Sequence, residues 1–491
     1  SLGPAMAGIQ FPANEKGDRS STSFNKSVYG AMAAAFSSAA GKDLEQKIKA
    51  EKDWRHQYYV HLDSLQESLL KLQDTTVLRD VLGKGLEKAG AMEFECADGK
   101  VMPLAQAISA PTVKFQTVKV EGTGAPKTDW SVPYNGQQLS GAALDAQCDQ
   151  WASYGTMEPD CAAAIKAGAK QLGSVAGRTF IVLGAGSELG PVRPLLEAGA
   201  TVAAVATRRP KRWTDLIALA RKSAGKLLVP VLGDQAASSD EDLAAVAGAD
   251  LLADAPAVVE WMRRVASEAP GKVTLGTYLY ADGEANVRLT VASDYAVRSL
   301  KSLGSDKVSF AYLASCSTST AIPAEAGRAQ ETIFETSSQW AKMFGKRQVC
   351  KDLGGSCSFL SAFEVLQGPN YALAQLMRQW RAALLHLEGF KVSSPMAPMC
   401  RTESVVHNPT MAVILEGMAY WAPMEAFDPE TARMAMLAVL VSDLEEQQLP
   451  KLASPMHIVM RKSFHSGIWR APFVMASLGK STWFLGKVAP K

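Results

Sequence analysis

The chain has 491 residues, 47% of them apolar, with a formal charge of +2 from 51 basic and 49 acidic side chains. That length exceeds one ordinary domain and supplies ample core. The charge is spread without a basic block, which argues against nucleic-acid binding, and the richest apolar runs (434–441, and 411–423 with Glu416 inside it) are too short or too charged to cross a membrane.

Residues 1–41, rich in Ala, Ser and Gly, read as an extended arm. From Lys42 to about Lys88, Leu44, Ile48, Leu62, Leu65, Leu69 and Leu72 recur at three- and four-residue spacing, which predicts helix. Trp54, Tyr58 and Tyr59 add an aromatic patch, read either as packing on its own domain or as a partner-binding arm. Residues 93–140 mix short alternating runs, notably 112–120, with Gly and Pro, and a helix is expected over 141–170. From Arg178 onward apolar runs predict strands at 178–183, 201–206, 227–232, 249–255, 308–314 and 390–393. Between them helices are expected at 191–198, 213–222, 290–303 and 371–387. Such alternation predicts an α/β fold, a doubly wound parallel sheet with helices on both faces. The expected division is an arm (1–41), a helical and irregular region (42–170) and an α/β domain (171–491) with an insertion at about 318–369 after the fifth strand.

The first of these strands runs into Gly184-Ala-Gly186-Ser187-Glu-Leu189-Gly190 and then a helix. The first glycine permits a tight turn, the second lets the backbone approach a pyrophosphate, and the helix start offers unpaired N–H groups. At the end of the next strand stands Thr207-Arg208-Arg209-Pro210-Lys211-Arg212. A unit that reads NAD places an acid there to hold the ribose 2′-hydroxyl. No acid occurs between Thr201 and Trp213, and the cluster of cations suits a 2′-phosphate, hence NADP. A solvated basic loop is the competing reading. Asp234 and Gln235 follow the third strand, where an adenine amino group would be held.

From about Val175 to Ser442 the chain resembles the short-chain dehydrogenase/reductase (SDR) superfamily. The glycine turn is similar to its cofactor motif and Gly233-Asp234 to its adenine contact, while Asp250-Leu-Leu-Ala-Asp-Ala-Pro256 takes the place of its Asn-Asn-Ala-Gly strand end. Val308 to Ser315 resembles the strand ending in the catalytic serine. Asn370-Tyr-Ala-Leu-Ala-Gln375, with 389–398 and Arg401-Thr402, resembles the catalytic-tyrosine helix, the sixth strand and the loop over the nicotinamide. The resemblance implies an SDR-like Rossmann fold and hydride transfer between a nicotinamide and a carbonyl or alcohol. In it Ser315 (or Ser317) positions the substrate oxygen and Tyr371 is the general acid/base. Pro398 and Thr402 would contact the cofactor together with the glycine turn, Thr207, Arg208, Arg209, Asp234 and Gln235.

A phenol with a pKa near 10 needs a nearby cation to exchange protons at neutral pH. The family provides a lysine four residues after the tyrosine; here Gln375 stands there, and none of the eleven tyrosines has a lysine at that spacing. Three readings stay open. The insertion substitutes the missing group through Lys342, Lys346 or Lys351; or the protein binds NADP(H) without turnover, as a structural or sensing subunit; or only the scaffold remains.

Seven cysteines, an odd number, read as reduced thiols, with Cys350 and Cys357 close enough in sequence to pair or bind metal. The six histidines show no ligand spacing, so no metal is expected. Neither a Gly-x-Ser-x-Gly elbow nor a P-loop occurs, which argues against hydrolases and kinases. The Trp- and Met-rich C-terminal portion reads as core or interface ahead of an apolar substrate pocket. The expected partners are a nicotinamide dinucleotide, an unidentified small-molecule substrate, and further chains in a homo-oligomer or an assembly through the N-terminal region. Helix 371–387 matches one that the family uses to dimerise. The expected compartment is the cytoplasm, or an organelle matrix or stroma after N-terminal processing.

Overall fold

The computed structural model describes residues 8–127, 129–233, 237–363 and 367–488. Four helices come first: α1 (Ser21–Ala35), α2 (Ala39–Ala50), α3 (Trp54–Lys71) and α4 (Thr75–Gly90). Strand β1 (Phe115–Glu121) and helices α5 (Gly141–Tyr154) and α6 (Pro159–Ala169) follow. The α/β unit then runs β2 (Thr179–Leu183), α7 (Val192–Glu197), β3 (Thr201–Val205), α8 (Pro210–Lys222), β4 (Lys226–Leu232), α9 (Ala255–Glu268), β5 (Val273–Thr277), α10 (Glu284–Lys301) and β6 (Val308–Tyr312). An inserted segment with α11 (Ala324–Thr336) and α12 (Gln339–Phe344) precedes α13 (Pro369–Leu387) and β7 (Val392–Ser393). Helices α14 (Pro409–Gly417), α15 (Pro429–Glu445) and α16 (Met475–Val488) complete it.

The central sheet has the order β7-β6-β5-β2-β3-β4-β1. Its strands are parallel except β1, which pairs antiparallel with β4 from Phe115↔Leu232 to Glu121↔Lys226. Every residue of β2, β5 and β6 is buried, as expected of parallel strands covered on both faces. Strand order reverses between β2 and β5, the switch point where open α/β sheets bind ligands.

One sheet face carries the cluster that includes Leu195 of α7, Trp213 of α8 and Leu437 of α15; the other carries Trp261 of α9, Val291 of α10 and Trp380 of α13. Over α10 and α13 lies a further layer, α1 to α4. Tyr29 meets Trp380 edge-on, centroids 6.1 Å apart. Tyr295 and Arg298 of α10 donate to carbonyls in the last turns of α4, at Gly90 (2.9 Å) and Leu86 (2.7 Å), the first supplying a partner that a helix C-terminus lacks. As a result 15 of the 19 residues of α13 are buried within the chain. The face expected to dimerise is covered by the chain's own helices.

Several expectations are corrected. Residues 21–35, placed in an extended arm, form α1, with Phe24, Val28, Tyr29 and Met32 buried. The helix expected over 141–170 is two, broken where Gly155 adopts φ +94° and Pro159 opens the next. Residues 249–255 are a turn rather than a strand. The Asp250 carboxylate accepts the N–H groups of Leu252 (2.8 Å) and Ala253 (3.2 Å), curling the chain into α9. The fourth parallel strand is β5, so the loop leaving it, Tyr278 to Asp282, takes the position assigned to 250–256. Residues 1–150 are not separate from the sheet, since β1 is its edge strand.

Candidate functional site

At the switch point the chain turns sharply out of β2. Gly184 has φ +82°, a conformation that favours glycine, and a Cβ there would lie 2.7 Å from the carbonyl oxygen of Tyr278 in the loop leaving β5. The N–H groups of Gly184 and Ala185 both donate to Val205 O, at 3.0 and 3.1 Å. Ser187 donates to Gly184 O (2.8 Å) and Gly190 to Ser187 O (3.0 Å), so these N–H groups face inward. The helix beyond is only Val192–Glu197, shorter than 191–198, and contributes little dipole. A Cβ on Gly186 would strike the Arg212 guanidinium, its Nε 2.5 Å away.

The cations at the end of β3 divide by partner. Arg208 is ion-paired with Asp254 (2.5 Å). Arg212 donates to Thr207 Oγ1 (3.3 Å). Among the described residues no carboxylate lies within ion-pair distance of Arg209 or Arg212. Burial, then the charge of Arg209, pulls the Arg212 pKa below its usual value. Asp234 and Gln235 lie outside the described residues.

Ser315 and Tyr371, separated in sequence by the insertion, meet. Ala314-Ser315, just beyond β6, pairs in parallel with Met396-Ala397. Tyr371 stands in the first turn of α13, with Ser315 and, one turn on, Gln375 near enough to its hydroxyl to lower its pKa. Ser315 Oγ is also 2.8 Å from Ser317 Oγ, which accepts from Gln367 Nε2 at 2.5 Å. Two turns along α13 from the tyrosine, Arg378 donates to Leu279 O (3.1 Å), Thr290 Oγ1 (3.1 Å) and Asn286 Oδ1 (3.3 Å). Burial lowers its pKa to about 10, so it stays charged at neutral pH. For Tyr371, burial raises the pKa, and Ser315, the Arg378 charge and Gln375 offset only part of that rise. Gln375 Oε1, Asn286 Nδ2, Arg378 Nε and Tyr312 Oη around it are buried without partners.

The loop after β7 closes over the glycine turn. Glu188 Oε2 accepts from Glu403 N (2.8 Å), and Glu188 O from Arg433 Nη1 (3.1 Å). Thr402 begins the short helix Glu403–Val406 and holds Ser404 Oγ at 3.1 Å, while Pro398 O accepts from the Cys400 thiol (3.1 Å). Leu189 lines a residual cavity of about 10 Å³ with Pro191, Tyr312, Ser393 and Arg433.

The insertion's lysines engage other partners. Lys351 pairs with Glu67 (2.5 Å) and Lys342 donates to Glu335 O (2.9 Å), while the backbone of Lys346 is held to the C-terminal segment by Val474 N (2.8 Å). The charged group beside Tyr371 is Arg378, which sequence reading missed because it sought a cation at the fourth position and not the seventh. Asn286 and Arg212 were missed as well; Arg212's place in the basic cluster was the available signal. Cys350 and Cys357 do not pair: all seven cysteines are free, and Lys351 opposes Phe359 in the ladder. Cys357 instead lies 3.8 Å from His457. Among the described residues no metal-binding cluster occurs, and no helix is long and apolar enough to cross a membrane.

No protein-family model matches the chain, and no curated protein does. Among solved structures it is similar to a Serratia marcescens short-chain dehydrogenase/reductase double mutant, with 16% identity over 59% of this chain and 95% of that one, at TM-score 0.31. It is also similar to the NADP active-site complex of Pseudomonas aeruginosa RhlG, with 16% identity over 59% and 97%, at TM-score 0.30. A thiolation-reductase di-domain of an archaeal non-ribosomal peptide synthetase shares 9% identity over 84% and 71%, at TM-score 0.27.

Proposed function

We propose that the chain is a divergent SDR-like, NADP(H)-binding oxidoreductase acting on a carbonyl or alcohol. The observation that carries this reading is the approach of Ser315 to Tyr371, brought together across the insertion at the carboxyl end of a doubly wound sheet. A dinucleotide suits the ground beside it on two counts. Gly186 offers backbone without a Cβ atom, covered by the Arg212 side chain alone, while Gly184 makes the tight turn that presents it. Arg209 and Arg212 lack acidic partners among the described residues, as a 2′-phosphate requires. In this reading Arg208, held by Asp254, passes its expected role to Arg212.

When bound, the nicotinamide supplies or accepts the hydride. Ser315 holds the substrate oxygen, and the Tyr371 hydroxyl gives that oxygen its proton in reduction. Because burial raises the Tyr371 pKa, the hydroxyl keeps its proton through neutral pH and serves as an acid. Arg378 steadies the phenolate left behind. Gln375, uncharged, adds no field.

Tyr371→Phe tests the reading. It should lower NADPH-dependent reduction of an aldehyde panel by about 100-fold or more while leaving NADPH affinity unchanged. Equal turnover in the variant would refute the assignment. Wild-type protein that binds NADPH but reduces nothing would favour the non-catalytic subunit, which the missing lysine equivalent supports.

A further inference from the structure

We infer that the face built by α12, the turn at 418–420 and α16 docks on an anionic lipid surface, a proposal independent of the oxidoreductase reading. Fourteen large hydrophobic residues are exposed among the described residues, and seven lie in these three short segments. They include Trp340, Met343 and Phe344 on α12 and Trp483, Phe484 and Val488 on α16. Such concentration is unlike the scattered exposure normal on soluble proteins.

The segments form one surface. Lys346 N donates to Ser477 Oγ (2.9 Å), and Val474 N to Lys346 O (2.8 Å). Trp340 stacks on Trp421 with centroids 5.5 Å apart. Helix α16 is seated by its opposite face: Leu478, Thr482 and Gly486 are buried at four-residue spacing, and Gly486 lies so near α14 that a Cβ would be 2.0 Å from Val413 O. What α16 turns outward is therefore Lys480, Trp483, Phe484, Lys487 and Val488. An outward helix face is ordinarily polar; this one is apolar and cationic.

Charge names the occupant. Residues 339–349 and 475–488 hold Lys342, Lys346, Arg347, Lys480 and Lys487 and no acid. Among the described residues none of the five is in an ion pair. Lys487 and Arg347 instead lie over the rings of Trp483 (5.6 Å) and Phe334 (4.9 Å). The neighbouring acids are Glu331 and Glu335 on α11 and Glu416 on α14. A second copy on this face would set five cations against five. Anionic headgroups neutralise them while Trp and Phe settle at the headgroup level. Docking is peripheral, since no described helix can span a bilayer.

Co-sedimentation of the full chain with phosphatidylcholine vesicles, with and without phosphatidylglycerol, tests this. Binding is expected to the anionic vesicles only and to weaken at high salt. It should fall about tenfold or more in Trp483→Ser/Phe484→Ser and in Lys480→Gln/Lys487→Gln. Trp340→Ser, on a different element, should weaken it too and keeps the test decisive if α16 variants fail to fold by circular dichroism. Three outcomes would overturn the proposal: no binding to anionic vesicles, binding unchanged in the folded variants, or a dimer in light scattering that the same variants abolish.

Discussion

Tyr371 shows how one missing charge reshapes a site. Its hydroxyl faces Ser315, but the cation that acts on it, Arg378, sits two helical turns along α13, and its pKa stays above the ordinary phenol value. Carbonyl reduction should therefore run at a level rate through neutral pH, while alcohol oxidation, which needs the phenolate, should rise only on the alkaline side. Gln375→Lys puts an ammonium beside the ring oxygen and should move that alkaline limb down by about one pH unit or more; an unmoved limb in pH–rate profiles would exclude Tyr371 as the titrating group. A second residue-scale consequence concerns stability. Glu158, 4% exposed, accepts Arg470 Nε (3.0 Å) and Nη2 (2.8 Å) and His465 Nε2 (3.0 Å). Although burial alone would raise its pKa, the His465 and Arg470 bonds hold it at about 2. A lowered carboxylate pKa stabilises the fold fully above the ordinary value and loses that contribution as pH falls toward 2. Burial also lowers the His465 pKa, so the unfolded chain takes up that proton first as pH drops below about 6.5, and stability falls there as well. Glu158→Gln should cost about 3 kcal/mol at pH 7 and flatten the acid limb in urea denaturation; a variant as stable as wild type would dismiss the triad as a structural support.

Among the elements, α14 and α16 are joined where glycines let backbones touch. A Cβ on Gly417 would fall 1.9 Å from Thr482 O, so Gly417→Ala must push the two helices apart. The expected cost is about 2 kcal/mol, with faster proteolysis between 405 and 490; unchanged proteolysis would mean the crossing adapts freely. Elements differ in how far the sequence disclosed them. Strands β2, β3, β4 and β6 are short, predominantly apolar runs flanked by turn residues and are readable as such. Strand β5 contains Gly276 in a five-residue run, and glycine weakens a strand signal, while 249–255 offered a more apolar decoy that Asp250 bends into a turn. Helix α1 was hidden because its Ala- and Ser-rich composition imitates an arm, and what fixes it is tertiary: Tyr29 against Trp380 and Asn25 Nδ2 on Asn370 Oδ1 at 2.8 Å.

Across the whole molecule, the alternation of strands and helices made a parallel sheet covered on both faces legible in the sequence, while the strand order, and with it the switch point, came from the structure. The N-terminal contribution was not legible either, because adding β1 to the sheet edge and laying four helices over α10 and α13 are pairings between distant segments without a local signature. The same holds for the site: the Ser315–Tyr371 pair could be named from motif likeness, whereas Arg378, Asn286 and the division between Arg208 and Arg212 depend on packing. In the proposed function, this switch point takes NADP(H) through its glycine turn and the cations without acidic partners. Fluorescence titration with NADPH and NADH, on wild type and on Arg209→Ala/Arg212→Ala, tests it most directly. NADPH should bind about tenfold or more tighter than NADH, with the double variant losing that preference. Unchanged NADPH emission together with no thermal shift at millimolar ligand would contradict it.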